Sequence, residues 1–398
     1  MNGEKAGDSS RGAVLVAVAA GLAIRFALAS TQGEVADTLK YHRVAVILRS
    51  GGQLYVDTAG LFPYPPVWNR VEVASLMLAE KTGVPFVVWV KLPSILADAG
   101  IALFLAALAP IGRRALYASA YALNPVPILV SGAHGQFDSL PLLCCITAVY
   151  VLQRRQSATL AALALTLGIA LKSFPVLLVP VFLLDIEGWR RRFLFLAAAL
   201  IPVGLLLLPN LATAPQAVAR ELFAYSGAGD HGWMAIARIV HVLRTGTLLA
   251  AGKLSGLLSA AKLLFLAAYA VALFVWARRG GRLPPLTLRI AFVFMLFGAV
   301  YGGISSQTLI WALPFLLLVS LRDGLLYSAA ATWSLVAFYT LFYPTVLYLD
   351  PAVRRERLLA RILSWLCGTA IWWLFSVWWT GRQAVRLRTV PSGADLQP

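Results

Sequence analysis

The chain has 398 residues, of which 60% are hydrophobic and 13% charged, and its mean hydropathy is +0.78. This composition excludes a water-soluble globular protein, because soluble domains average about 25% charged residues. The net charge of +17 does not indicate nucleic acid binding, since the arginines stand in short clusters between apolar segments. Arginines in that position set membrane topology and contact anionic lipid headgroups.

Apolar segments long enough to cross a bilayer, about 17–25 residues, recur along the chain. The first is predicted to be a retained signal anchor, with Arg25 facing protein or the outer interface. Pro175 and Pro180 interrupt the weakest pair of segments. We predict an all-α polytopic membrane protein of about twelve transmembrane helices. They cover residues 11–30, 85–109, 115–131, 138–152, 157–174, 176–187, 193–209, 254–277, 286–304, 307–320, 325–343 and 359–380.

The arginine clusters predict the orientation, because basic loops stay in the cytoplasm. All but one of the clusters fall on one side if both termini are cytoplasmic. The agreeing clusters are Arg113/Arg114, Arg154/Arg155, Arg190 to Arg192, Arg278/Arg279/Arg282, Arg322 and Arg382/Arg386/Arg388. The exception, Arg354/Arg355 with Arg357 and Arg361, is predicted to lie outside and to have a functional role there.

Most other polar residues fall in the outer segments, which include a loop at 31–84 and another at 211–245. Within the first, apolar spacing predicts a helix over Thr38–Arg49 that lies flat at the interface. Asp37 stands just before it at a natural N-cap position, so capping is the structural alternative for Asp37. A second amphipathic stretch begins after Pro65 and Pro66 and is too polar to span, so it is predicted to be juxtamembrane or half-inserted.

Three ionisable residues lie inside apolar segments. A charged side chain there is energetically costly, so these residues are expected to have a function. They are Lys91, Asp98 and Lys172. An internal Lys91–Asp98 pair is the structural alternative, because seven residues place both on one helix face. The cysteines, Cys144, Cys145 and Cys367, all fall in apolar segments without the spacing of a metal or disulfide site.

Five passages follow one another in an order that resembles a known family. They are Asp37-Thr-Leu-Lys-Tyr41 with Gly51-Gly52-Gln-Leu-Tyr55, Tyr64-Pro-Pro-Val-Trp68, Lys91-Leu-Pro93 with Asp98, Asn124-Pro125 before His134-Gly-Gln-Phe-Asp138, and Lys172-Ser-Phe-Pro175. Ser305-Ser-Gln307, later in the chain, is a weaker match to the same pattern. The chain resembles GT-C glycosyltransferases that use polyprenyl-phosphate sugars, above all bacterial polyprenol-phosphate-mannose mannosyltransferases. It departs from the related glucosyltransferases, whose histidine-rich signature is reduced here to His134.

The resemblance implies one transmembrane glycosyltransferase domain of GT-C type over residues 1–398. It implies inverting transfer of a hexose, with mannose favoured, from a polyprenyl-phosphate donor on the extracytoplasmic face. The acceptor would be a glycolipid or a lipid-linked glycan, and neither a metal nor another cofactor is expected. Asp37 would be the general base. The donor and its phosphate would bind Lys172, His134, Gln136, Tyr41, Arg354 and Arg355, and the substrate cavity would contain Tyr64, Lys91, Asp98, Asp138, His231, Trp233 and Gln307.

Several alternatives remain open at this point. Asp57, in a polar turn, and Asp138, which could cap the helix beginning near Ser139, compete with Asp37 for the role of base. The segment 225–233 fits a gated outer loop or a glycine-rich connector. A secondary transporter or lipid flippase would also explain the intramembrane charges. Transport would require them near the midplane, whereas a transferase would gather them beside one outer cavity.

Overall fold

The computed structural model describes residues 2–31, 33, 35–224, 227–247, 254–279, 283–350, 352 and 357–389. The described chain is helical and contains no β-strand. Its α-helices are α1 (Asn2–Thr31), α2 (Ala36–Arg49), α3 (Trp68–Thr82), α4 (Phe86–Leu108), α5 (Arg114–Ala122), α6 (Pro125–Pro127), α7 (Ser139–Arg155), α8 (Ala158–Leu171), α9 (Val179–Leu183), α10 (Trp189–Thr213), α11 (Pro215–Leu222), α12 (Gly232–Thr245), α13 (Ser255–Ala277), α14 (Leu286–Val300), α15 (Leu313–Val319), α16 (Leu321–Phe342) and α17 (Leu358–Thr389).

Six helices in this part of the chain are long and apolar enough to cross a membrane, namely α1, α4, α10, α13, α16 and α17. The remaining predicted spans coincide with shorter helical segments. Three of these segments are irregular: a π-helix at Ile128–His134 and 3₁₀ turns at Phe174–Leu178 and Ser306–Ile310. Backbone that leaves the α-helix at membrane depth is tolerated only where protein or a cavity surrounds it. The prediction of an all-α polytopic membrane protein is confirmed.

Both outer amphipathic helices are present. The first begins at Ala36 with Val35 as its N-cap, so Asp37 lies in the first turn and the predicted capping role is wrong. The second is α3, which ends at Gly83 in the left-handed conformation. The two helices pack together through Tyr41, Val44 and Trp68. Residues 211–245, predicted as a loop, contain the end of α10 and the helices α11 and α12.

Asp98 is buried in a network that joins α1, α4, α5 and the π-helix. Its carboxylate pairs with Arg25 at 2.9 Å, accepts a hydrogen bond from Tyr121 at 2.9 Å, and accepts another from Ser131. A Cβ atom at Gly21 would lie 2.6 Å from the Ala122 carbonyl oxygen, so this close helix crossing requires glycine. The alternative Lys91–Asp98 pair is therefore wrong, while Arg25 faces protein as predicted.

Contacts between the start of α16 and the end of α17 agree with the predicted placement of two arginine clusters on one side. Arg382, near the end of α17, lies 3.5 Å from Asp323 in the first turn of α16. Trp379 donates a hydrogen bond to the same carboxylate at 3.1 Å. The end of α17 and Arg322 therefore lie at the same end of the bundle.

Candidate active site

A sharp turn after the π-helix brings distant polar residues together. Gly135 has φ +85°, and a Cβ atom there would lie 2.7 Å from Thr38 Cγ2 and 2.8 Å from Lys91 Cε. Only glycine fits both that backbone conformation and that space. The turn places His134 and Gln136 against the first turn of α2, which carries Asp37.

Asp37 is the centre of this polar cluster. Lys40 donates to Oδ1 at 3.0 Å and Gln136 donates to Oδ2 at 2.5 Å. His134 Nε2 lies 2.9 Å from Oδ2, close enough for an ion pair although outside hydrogen-bonding geometry. The other ring nitrogen, Nδ1, lies 3.0 Å from the Tyr339 hydroxyl. An acid, an imidazole and a phenol thus form one chain of contacts.

The environment of Asp37 keeps its carboxylate ionised. Burial would raise the pKa of Asp37, but His134 and Lys40 outweigh that effect and hold the pKa well below its usual range. The side chain remains 21% exposed, so it is accessible to solvent.

Tyr41 connects this cluster to a second one. Its hydroxyl donates to Gln136 Oε1 at 3.0 Å, and its ring packs against Phe137 at a centroid distance of 6.0 Å. Burial raises the pKa of Tyr41, and the nearby Asp37 and Asp138 carboxylates raise it further. The phenol therefore stays protonated and can donate a hydrogen bond.

The second cluster is a buried ion pair. Lys172 Nζ lies 2.7 Å from Asp138 Oδ2, and Trp311 donates to Asp138 Oδ1 at 2.7 Å. The same ammonium group lies 4.7 Å from the Phe137 ring centroid and 5.0 Å from that of Tyr64. Asp138 makes no capping hydrogen bond, so its predicted capping role is wrong and it acts as the counter-ion of Lys172.

A cavity of about 240 Å³ opens beside this ion pair. The predicted residues Tyr64, Lys172 and Gln307 line it, together with the aromatic residues Phe174, Phe265, Phe297, Tyr301 and Trp311. Asp37 does not line it, but contacts through Gln136, Tyr41 and Phe137 lead from Asp37 to Lys172.

Lys262 also lines this cavity, and our sequence argument missed it. It is the only charged residue within α13, so the rule that selected Lys91 and Lys172 would have found it. Its Nζ donates to the Phe223 carbonyl oxygen at 3.0 Å.

Asp230 is a second missed residue. It pairs with Arg238 at 3.1 Å and lies close enough to Asp37 and His134 for their charges to act on it. Burial raises the pKa of Asp230 to about 6, although Arg238 opposes the shift. A carboxyl group that titrates near neutral pH beside one that stays ionised is a pattern found in acid–base sites. The sequence offered no local signal for this pairing.

The described part of the glycine-rich connector, residues 227–232, is tightly packed. A Cβ atom at Gly227 would lie 1.9 Å from the Gly303 carbonyl oxygen, and Asp230 donates its N–H to Ile304 at 2.8 Å. His231 is buried between Ser334 and Ser306, at 2.7 Å and 3.2 Å, and burial lowers its pKa to about 3. Trp233 donates its indole N–H to Val300 at 3.1 Å. These contacts favour the connector over a gate.

Other predicted site residues lie elsewhere. Asp98 belongs to the Arg25 network, and Asp57 is an exposed turn residue that accepts the Gln53 N–H at 2.7 Å. Lys91 donates to the Ala133 carbonyl at 2.8 Å, directly beneath the turn that holds His134. Arg354 and Arg355 lie outside the described residues. No group of three or more histidine, cysteine or acidic side chains is arranged to hold a metal within the described ranges.

Comparisons with known proteins find similarity among solved structures. No family model matches it, and no curated protein sequence matches it significantly. Among solved structures, ArnT from Cupriavidus metallidurans in the apo state is similar over 95% of this chain and 78% of its own. The identity is 16% and the TM-score 0.49. ArnT from the same organism bound to undecaprenyl phosphate is 14% identical, over 94% of this chain and 78% of its own, with a TM-score of 0.43.

Proposed function

We propose that the chain is an inverting membrane glycosyltransferase of GT-C type. It transfers a hexose, with mannose favoured, from a polyprenyl-phosphate donor to a glycolipid or lipid-linked glycan acceptor on the extracytoplasmic face. The observation that carries the proposal is the ionised, accessible Asp37, which contacts join to an aromatic cavity containing two lysines. A transferase needs a base beside a site for a lipid-linked phosphate, and these two features provide both.

The residues fit the parts of such a donor. Aromatic side chains suit a prenyl chain, because apolar surface is favourably removed from water. The phosphate requires cations or N–H donors, since it leaves as an anion. Lys172 is already paired with Asp138. Lys262, which donates to the neutral carbonyl oxygen of Phe223, is the better phosphate ligand.

The proposed reaction is a single displacement. The acceptor hydroxyl oxygen attacks the anomeric carbon as the bond from that carbon to the phosphate oxygen breaks. The bonding electrons stay on the polyprenyl phosphate, which departs from the opposite face and leaves the sugar inverted. Asp37 takes the hydroxyl proton, while His134 and Gln136 hold the carboxylate in place.

The transporter alternative is less well supported. A translocation path would need Asp98 near the midplane with access from both sides. Asp98 lies twelve residues into α4, about 18 Å along the helix, but Arg25, Tyr121 and Ser131 occupy it. The space around this network is too small for a water molecule. Lys91 and Lys172 are instead next to the outer clusters.

The test is a transfer assay with purified protein, a lipid extract from the source, and labelled polyprenyl-phosphate mannose or glucose in parallel. We expect a labelled lipid product that depends on Asp37. Lys262→Met should raise the donor KM about tenfold or more, the loss of one charge-assisted contact, whereas the exposed control Lys81→Met should not change it. Movement of labelled lipid across proteoliposomes without any transfer product would refute the enzyme in favour of a flippase.

A further inference from the structure

An open cavity of about 780 Å³ lies at the end of the bundle away from Asp37. The start of α1, the end of α4, the turn into α5 and the end of α7 bound it. Because α7 starts next to Asp138 and runs 17 residues to Arg155, its far end lies about 25 Å from that carboxylate. The proposed transfer reaction makes no use of this cavity.

The cavity has an apolar wall and a basic rim. The wall includes Leu15 and Leu103, which are 63% and 43% exposed and lie on two helices with the composition of membrane spans. The rim carries Arg11, Arg114 and Arg154. No acidic residue lines the cavity, and these arginines form no ion pair within the described residues. The Nε atom of Arg114 is shielded from solvent without a hydrogen-bond partner in that part of the chain.

We propose that this groove binds one anionic phospholipid of the surrounding bilayer. The phosphate would lie on the guanidinium groups of Arg11, Arg114 and Arg154, and an acyl chain would cover Leu15 and Leu103. Guanidinium groups donate two parallel hydrogen bonds to phosphate, and basic pockets between helices on the cytoplasmic side suit anionic headgroups. An acidic soluble peptide fits less well, since the wall belongs to membrane-spanning helices.

The test titrates the purified protein in detergent with phosphatidylglycerol or phosphatidylcholine and counts bound lipids by native mass spectrometry. The groove variant is Arg11→Gln/Arg114→Gln/Arg154→Gln. Its matched control, Arg155→Gln/Arg190→Gln/Arg191→Gln, removes three exposed charges at the same predicted face but outside the groove. We expect phosphatidylglycerol to bind the groove variant about tenfold or more weakly, while the control changes less than about twofold.

A second variant separates a lipid from a free phosphate. Leu103→Trp fills the apolar wall without changing charge, so it should weaken phosphatidylglycerol binding while inorganic phosphate competes as in wild type. Arg114→Gln alone replaces the triple variant if that protein fails to fold. Equal losses in the groove and control variants, equal binding of phosphatidylcholine, or coverage of the groove by a second copy of the chain would overturn the proposal.

Discussion

Asp37→Asn is the most direct perturbation of the proposed site, because it removes the charge and changes the shape very little. The structure indicates a small effect on stability. The Asp37 carboxylate is 21% exposed and its partner Lys40 is 48% exposed, so their pair contributes no more than about 1 kcal/mol to the free energy of unfolding. An Asn oxygen in the Oδ2 position still accepts from Gln136 and faces His134, and the new NH2 group takes the Oδ1 position beside Lys40, which is half exposed and can turn to solvent. The apparent melting temperature should fall by no more than about 4 °C.

The effect on turnover should be far larger. General-base catalysis contributes about a hundredfold to ten-thousandfold, so the variant should lose at least a hundredfold in kcat. The assay is the transfer of labelled sugar described above, at saturating donor. Asp57→Asn is the matched control, because Asp57 is an exposed carboxylate in the same outer segment and makes only a turn contact. A folded Asp37→Asn protein with near-normal turnover would refute the assignment.

Three further predictions concern neighbouring residues. Wild-type activity should rise with pH through about 6 as Asp230 ionises, because the pKa of Asp37 is too low to account for a rise at that pH. Asp230→Asn should flatten this acidic limb of the pH–rate profile. An unchanged profile would exclude Asp230 as the source of the limb. Lys172→Met should lower stability by about 3–5 kcal/mol because it leaves a buried carboxylate unpaired, and thermal unfolding should show recovery when Asp138→Asn is added. Burial raises the pKa of Glu72, so above the ordinary glutamate pKa this residue ionises more readily in the unfolded protein and lowers the free energy of unfolding as pH rises. Glu72→Gln should therefore raise the melting temperature more at pH 8 than at pH 4. An equal effect at both pH values would contradict this.

The local features of the site could be predicted from the sequence. Apolar spacing predicted α2, and the order of the motifs associated Asp37 with His134 and Gln136 before the structure joined them at 2.9 Å and 2.5 Å. Alternating spans determine which loops share a face, so residues one hundred positions apart can be assigned to one end of the bundle. The twelve apolar segments likewise correspond to helical segments, although six alone are long enough to cross a membrane as single described helices.

The pairing of charges could not be predicted, because it depends on helix rotation and on crossings between distant segments. Asp98 lies on the same helix as Lys91, yet α1 brings Arg25 to it instead. Capping was the alternative role for Asp37 and Asp138, which stand beside helix starts, but residues distant in sequence contact both carboxylates. Asp230 reaches the Asp37 cluster only because glycines allow its segment to pack against residues 302–304.

The charge balance of the clusters that contain Asp37, Asp138 and Asp230 decides which cation is available to the donor phosphate. Each of the three carboxylates there has its own cation, in the pairs Asp37–Lys40, Asp138–Lys172 and Asp230–Arg238. A donor phosphodiester adds one negative charge, which needs a positive charge not already neutralised. Lys262 lies in the same cavity as Lys172 and donates to a carbonyl oxygen. If the phosphate bound Lys172 instead, Asp138 would lose its partner while buried, at a cost of several kcal/mol. Donor binding should therefore depend on Lys262 more steeply than on Lys172 as long as Asp138 is intact, and Asp138→Asn should make Lys172 available as a second phosphate ligand.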